Sequence, residues 1–120
     1  MAQEITATGL LQFAKGGVQA INRQRSQAKF NVNGTRYVCG VQTVGITPEQ
    51  LNLGEITTPG WYFLANLSTA NSVTFRVGAS GSDFLKLMPG EFSVGRFATA
   101  NIYAVADTAD VDVEYMVVED

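Results

Sequence analysis

Valine, isoleucine, threonine, phenylalanine and tyrosine occur along this chain in short runs. Glycine, proline, asparagine or aspartate interrupts the runs about every ten residues, a spacing typical of strands joined by tight turns. The pattern predicts an all-β, single-domain β-sandwich over residues 1–120, jelly-roll-like, with about eight to ten short antiparallel strands. A flattened barrel is the alternative architecture.

Composition supports a packed domain of this kind. Apolar residues make up 46% of the chain and charged residues 16%, whereas a disordered chain has the opposite balance. No apolar run approaches the roughly 20 residues that span a bilayer. The start of the chain lacks the basic and apolar blocks of a signal peptide. We therefore expect synthesis in the cytoplasm and no membrane partner.

The clearest local signal is the pair Asn33-Gly34, which tolerates the positive φ angles of a two-residue type I′ turn. Counting outward from this pair predicts a hairpin from Ala28 to Cys39. The register would place Phe30 opposite Tyr37 on a mostly apolar face, with mostly polar residues on the other face.

Further turns and strands follow from the same reasoning. Pro59-Gly60 and Pro89-Gly90 suit type II turns. The glycine-rich stretch 78–82 is predicted to be a hairpin tip, since it lacks the Lys-Ser or Lys-Thr ending of a phosphate loop. Strands are predicted at Trp61–Leu64, Ser72–Val77, Phe84–Met88, Phe92–Phe97, Ile102–Ala106 and Val111–Val118.

The residue patterns of two of these strands predict which of their faces are buried. Trp61–Leu64 is apolar without alternation, which predicts a strand covered on both faces. In Val111–Val118 the alternation predicts an apolar face opposite a polar one. The apolar face would consist of Val111, Val113, Tyr115 and Val117.

The N-terminal part and the segment around Pro48 are less regular. Lys15-Gly16-Gly17 predicts a loop between two strands, and the weak alternation before it allows residues 1–15 to act as an extended docking arm. Thr47 as N-cap and Pro48 at the first helical position predict one helical turn over residues 47–51.

Charge is unevenly distributed along the sequence. Residues 1–44 hold five basic residues and one acidic residue, a net charge of +4, and residues 45–120 have a net charge of −7. One interpretation is that Arg23, Arg25, Lys29 and Arg36 form a basic patch that docks on an acidic partner or a neighbouring copy. The other is that strands from both halves interleave, so that the asymmetry disappears in space.

The residues give no indication of catalytic machinery. The chain contains no histidine, which removes the commonest general base and the commonest metal ligand. Ser82 and Lys86 do not have SxxK spacing, and Cys39 is expected to be a small core residue facing Ala28. We predict a protein that is not an enzyme and that uses no cofactor.

Asp110, Asp112 and Glu114 form the densest acidic group. Alternate residues of a strand point the same way, so this group favours a solvated face. A calcium site is the other interpretation, but it would need additional loop oxygens, and no EF-hand-like spacing supplies them. The net charge of −3 disfavours nucleic acid as a partner.

Three consecutive aromatic residues open the strand after Pro59-Gly60. At most Trp61 and Phe63 can share a face, because Tyr62 between them points to the other side. A shared face could be a stacking platform for sugars. Packing in the core is the alternative.

Several short strings occur along the chain: Phe13–Gly17, Leu51–Ile56, Thr58–Leu67, Phe84–Glu91, Ile102–Ala104 and Glu114–Asp120. In order and spacing they resemble small virion structural proteins of tailed bacteriophages, podovirus-like ones especially. The resemblance covers most of the chain.

This resemblance implies a β-sandwich protein on the phage particle, with no catalytic, cofactor or metal residues. The preferred role is a capsid cement or decoration protein, which binds the capsid surface and clamps neighbouring shell subunits. The implied partners are the major capsid protein and copies of the chain itself, commonly as a trimer. The basic cluster Arg23, Arg25, Lys29 and Arg36 is expected to face the acidic shell or partner surface.

Two other roles remain open at this point. One is a tail, neck or head-fibre component of the same kind of particle. The other, from a different class, is a carbohydrate-binding adhesion module.

Overall fold

A computed structural model describes residues 3–17 and 21–120 of the chain. Within these residues ten strands form three antiparallel sheets, which confirms the all-β prediction. No helix in the same ranges is long and apolar enough to cross a membrane. The strands are β1 (Ile5–Phe13), β2 (Ile21–Phe30), β3 (Tyr37–Val44), β4 (Glu49–Gln50), β5 (Pro59–Asn66), β6 (Val73–Val77), β7 (Asp83–Leu87), β8 (Phe92–Arg96), β9 (Ile102–Ala106) and β10 (Val111–Glu119).

The chain divides into two compact units, Met1–Asn33 and Gly34–Asp120. The first unit contains an antiparallel hairpin of β1 and β2. Residues 16 and 17 form a turn after β1, as the Lys15-Gly16-Gly17 pattern predicted. The organisation of residues 1–120 as a single domain, with residues 1–15 as a docking arm, stays a prediction.

The second unit is a long hairpin of eight strands folded over on itself. β3 pairs with β10, β4 with β9, β5 with β8 and β6 with β7, and the tip of the hairpin is the predicted turn at residues 78–82. Pairing of β10 with β5 and of β9 with β6 then creates two sheets, β3-β10-β5-β8 and β4-β9-β6-β7. We call them the β10 sheet and the β9 sheet. Eight strands nested in this way form a jelly-roll sandwich, as predicted.

The core lies between these two sheets. Val111, Val113, Tyr115 and Val117 of β10 are each at most 6% exposed, so the predicted apolar face of this strand is confirmed. The residues between them, Asp112, Glu114 and Met116, are exposed on the opposite face. The β9 sheet contributes Val73, Phe75, Leu87, Ile102, Ala104 and Ala106.

One buried polar side chain joins the two sheets. Asn66 of β5 is 1% exposed, and its amide donates to the carbonyl oxygen of Leu87 in the β9 sheet at 3.0 Å. The same amide donates to the carbonyl oxygen of Asn71 at 2.9 Å, and its oxygen accepts from the Ser68 N–H at 2.8 Å. Each polar atom of this side chain therefore has a partner, as burial requires.

The predicted hairpin from Ala28 to Cys39 is wrong. β2 ends at Phe30, where it pairs with β1, and β3 pairs with β10 instead of with β2. Pairing with β10 places Val44 opposite Val111 in the core, so this long-range pairing overrides the local turn signal. Glycine at position 34 is explained by close packing and not by a turn, because a Cβ atom there would lie 2.6 Å from the Cγ of Glu119.

Sheet pairing also overrides two other local signals. Pro59 and Gly60 belong to β5 and do not form a turn, so that prediction is wrong. The helical turn predicted over 47–51 is wrong as well, because Glu49 and Gln50 pair with β9. Pro89-Gly90 does form the predicted turn, with Gly90 at a φ of 82° as a type II turn requires.

Burial makes the stability of this fold sensitive to alkaline pH through Tyr115. Desolvation of the 6%-exposed side chain raises the pKa of its hydroxyl above the ordinary 10.0, and negative charge on Cys39 raises this pKa further. The unfolded chain then loses this proton more readily than the folded one. We expect the free energy of unfolding contributed by this group to be constant below pH 10.0 and to fall above it.

Urea unfolding across this pH range tests the expectation. Tyr115→Phe should flatten the alkaline decline, whereas an unchanged decline in this variant would show that other groups cause it.

Candidate interaction surface

The β10 sheet has an outer face that points away from the core. Strand alternation and register assign its members. They are Tyr37, Cys39, Val41 and Thr43 of β3, Asp112, Glu114, Met116 and Val118 of β10, Trp61, Phe63 and Ala65 of β5, and Phe92, Val94 and Arg96 of β8. We call this set the outer face. Ten of its fourteen side chains are apolar or aromatic.

The centre of the outer face is a row of apolar side chains across all four strands. Met116 lies beside Cys39 on one flank and Phe63 on the other. The ring of Phe63 stacks with that of Phe92, with 6.1 Å between centroids. Phe92 is 62% exposed and Tyr37 67% exposed. Large exposed apolar patches are typical of protein or membrane interaction sites and of ligand-binding grooves.

Carboxylates and one arginine interrupt this apolar surface. Glu114 is exposed between Val41 and Ala65, and Asp112 accepts a hydrogen bond from the Thr43 hydroxyl at 2.6 Å. Arg96 at the opposite end is neutralised by Asp120 at 2.9 Å. The uncompensated charge on the outer face is therefore negative, which suits a partner that is apolar and basic.

The β1–β2 hairpin is amphipathic. Cross-strand register assigns one side to Ile5, Ala7, Gly9, Leu11, Phe13, Ile21, Arg23, Arg25, Ala28 and Phe30, which we call the apolar side. The other side carries mainly Thr, Gln, Asn and Lys residues. Leu11 is 77% exposed, and Phe13 and Ile21 are each more than half exposed. A two-stranded hairpin with an uncovered apolar side is marginally stable by itself.

The four residues of the predicted basic cluster lie on different elements or on different sides of one element. Arg23 and Arg25 lie on the apolar side of the hairpin. A register shift between Ala7 and Gly9 places Lys29 on the opposite side, where its Nζ is 3.3 Å from the Thr6 hydroxyl. Arg36 belongs to the second unit and lies 3.9 Å from a carboxylate oxygen of Glu119. These four residues therefore do not share one face of one element.

Charge asymmetry persists between the two units. The first unit carries four basic residues and one acidic residue, a net charge of +3, and the second carries a net charge of −6. Of the four predicted basic residues only Arg36 belongs to the acidic second unit. β1 and β2 form a sheet of their own, so strand pairing does not mix the charges of the hairpin with those of the second unit.

Two predictions about single residues need correction. Cys39 is exposed on the outer face and is not a core residue facing Ala28, because β3 pairs with β10 and presents alternate residues outward. Trp61 and Phe63 do share a face, but it is the outer one, and β5 is half-buried there rather than fully covered. Tyr62 points inward and stacks on Phe97, with 4.2 Å between centroids.

The acidic group at the start of β10 is solvated, as predicted: Asp110, just before the strand, and Asp112 and Glu114 within it are all exposed. Within residues 3–17 and 21–120 no three histidine, cysteine or acidic side chains gather in a way that could hold a metal ion.

Sequence reasoning missed the outer face as a surface. The signal was present in Trp61–Leu64, whose lack of alternation indicated apolar residues on both faces. That pattern shows that both faces of a strand are apolar, but it does not distinguish coverage by the same chain from coverage by a partner.

No protein-family model matches this chain, and no curated protein or solved structure matches it either.

Proposed function

We propose that this chain is a non-enzymatic virion structural protein, a capsid cement or decoration protein that stabilises the phage head by bridging shell subunits. Its partners would be the major capsid protein and copies of itself, its site the capsid surface of the virion, and neither nucleic acid nor membrane would take part. The sequence resemblance to small virion proteins supports the proposal. The jelly roll is consistent with it, because this fold recurs in viral capsid proteins, although a fold alone does not define a function.

The observation that carries the proposal is the amount of apolar surface left uncovered in two places. Both the outer face of the β10 sheet and the apolar side of the hairpin are exposed. Monomeric soluble proteins rarely leave patches of this kind open. A subunit of a large symmetric assembly gains from them, because many weak contacts made together hold strongly.

The copy number of the protein in purified particles tests this function. A cement protein follows the symmetry of the shell, so quantitative mass spectrometry against the major shell protein should give hundreds of copies. A closed ring at the tail or neck would give about six to a few tens, which would reassign the protein to that structure. Absence from particles would refute a virion role altogether.

A carbohydrate-binding module is the second candidate, because Trp61 and Phe63 lie on the same exposed sheet face. Aromatic side chains on such a face can stack on sugar rings, and jelly rolls recur in lectins. Glycan-array binding by the purified protein that disappears in Trp61→Ala would favour this candidate over the cement role.

A further inference from the structure

We infer that the apolar side of the β1–β2 hairpin of one copy docks on the outer face of the β10 sheet of a second copy. This inference goes beyond the proposed function and does not depend on it, since association of the purified protein can be measured without particles.

The first argument is the match of shape and polarity. The hairpin strands and β10 are nine or ten residues long, or about 30 Å at 3.4 Å per residue. Each surface carries a central run of apolar side chains, and members of both runs are exposed. Leu11 and Phe13 of the hairpin supply anchors comparable with Met116 and Phe92 of the outer face. Docking would remove both surfaces from water together.

The second argument is charge. Within the described residues Arg23 and Arg25 form no salt bridge, and each guanidinium bonds only to a neighbouring backbone carbonyl, at 2.8 and 2.9 Å. Covering the apolar side would desolvate both charges, which is costly unless the partner provides carboxylates. The outer face provides Asp112 and Glu114, and Glu114 has no salt bridge within the described residues.

Self-pairing of either surface is less favourable. Two outer faces placed together would bring Glu114 close to its own copy, and two hairpins would bring arginine against arginine. Like charges in close apposition at an interface oppose association. The hairpin-to-sheet contact joins two different surfaces, so repetition of it gives a reciprocal pair, a ring or an open chain of copies.

Charge reversal on the full-length protein tests the contact. We expect the wild type to be oligomeric by size-exclusion chromatography with light scattering. The R23E/R25E and D112R/E114R variants should each weaken association by about tenfold or more. Lys29→Glu, on the other side of the hairpin, is the matched control and should associate as the wild type does.

Two combinations of these charge reversals distinguish a contact between two copies from a contact within one chain. An equimolar mixture of R23E/R25E with D112R/E114R should recover association, because each acidic hairpin meets a basic outer face. The four-fold variant, carrying all reversals in one chain, should recover it alone and also controls for folding damage.

The rate at which maleimide labels Cys39 is an independent measure of association, because this thiol is exposed on the outer face. Its labelling by maleimide should be slower in the associated wild type than in R23E/R25E. The inference is overturned if the wild type is a monomer at all concentrations, or if both charge-reversed variants associate normally. It is also overturned if the four-fold variant recovers association and the mixture does not.

Discussion

Replacing Phe75 with alanine is expected to remove a large part of the protein's free energy of unfolding, about 3–5 kcal/mol. The ring of Phe75 is 0% exposed, and β6 is an interior strand of the β9 sheet, between β9 and β7. Removing a buried phenyl ring costs about 3–5 kcal/mol. A domain of this size has only about 5–15 kcal/mol of stability in total.

Urea unfolding followed by the fluorescence of Trp61, the single tryptophan, measures this loss. Phe84→Ala is the matched control, because Phe84 in the neighbouring strand β7 is 45% exposed. The control should lose about 1 kcal/mol or less. If Phe75→Ala is already unfolded without urea, its loss of stability cannot be measured. Phe75→Leu, a smaller truncation, then takes its place in the comparison with Phe84→Ala. Equal losses at Phe75 and Phe84 would contradict the assignment of Phe75 to the centre of the core.

The second large effect is expected for Asn66→Asp. The substitution keeps the shape and the oxygen that accepts from Ser68, but it replaces the donating amide by a carboxylate oxygen. That oxygen would face the carbonyl oxygens of Leu87 and Asn71. A buried charge facing two acceptors is strongly unfavourable, and we expect a loss of about 3 kcal/mol or more at neutral pH.

The stability of the Asn66→Asp variant is expected to fall as pH rises. Burial against two acceptors favours the protonated acid, so the folded-state pKa of the new carboxyl is raised above the ordinary value of about 3.9. Stability is then retained at low pH and lost as pH rises through the folded-state pKa. Denaturant midpoints at neutral pH and at about pH 4, compared with those of wild type, should show partial recovery in acid.

Asn52→Asp is the control for this substitution. Asn52 is exposed, and its side-chain oxygen accepts from the Gly54 N–H at 3.0 Å, a contact that aspartate preserves. This variant should remain near wild-type stability. A similar loss in both variants, or a loss at Asn66 that does not depend on pH, would contradict the sheet-bridging role of Asn66.

The sequence was informative where burial and local pattern agree. In β10 each alternate residue faces the core, so Val111, Val113, Tyr115 and Val117 could be assigned before the fold was known. Pro89-Gly90 succeeded for a similar reason, because its turn joins two short strands close in sequence. Strong local signals of this kind need no information about distant partners.

Asn33-Gly34 failed because the competing interaction is remote in sequence. Tyr37 pairs with Val118, and no local rule contains that pairing. The same limit applies to the candidate surface. Alternation separates the two sides of a strand, as at Trp61 and Tyr62, but the register with neighbouring strands decides which residues gather into one patch. The split of Lys29 from Arg23 and Arg25 required the register shift in the hairpin, which no turn residue marks.

The central position of β10 determines when this protein can acquire its fold during synthesis. β3 and β5 are both neighbours of β10, and Val111 pairs with Val44 across more than half of the chain. While the ribosome is still making residues 111–119, neither β3 nor β5 can pair with β10. Pairing between strands so far apart in the sequence also forms slowly. The nascent chain therefore carries open strand edges until translation has passed Glu119, and during that interval aggregation competes with folding.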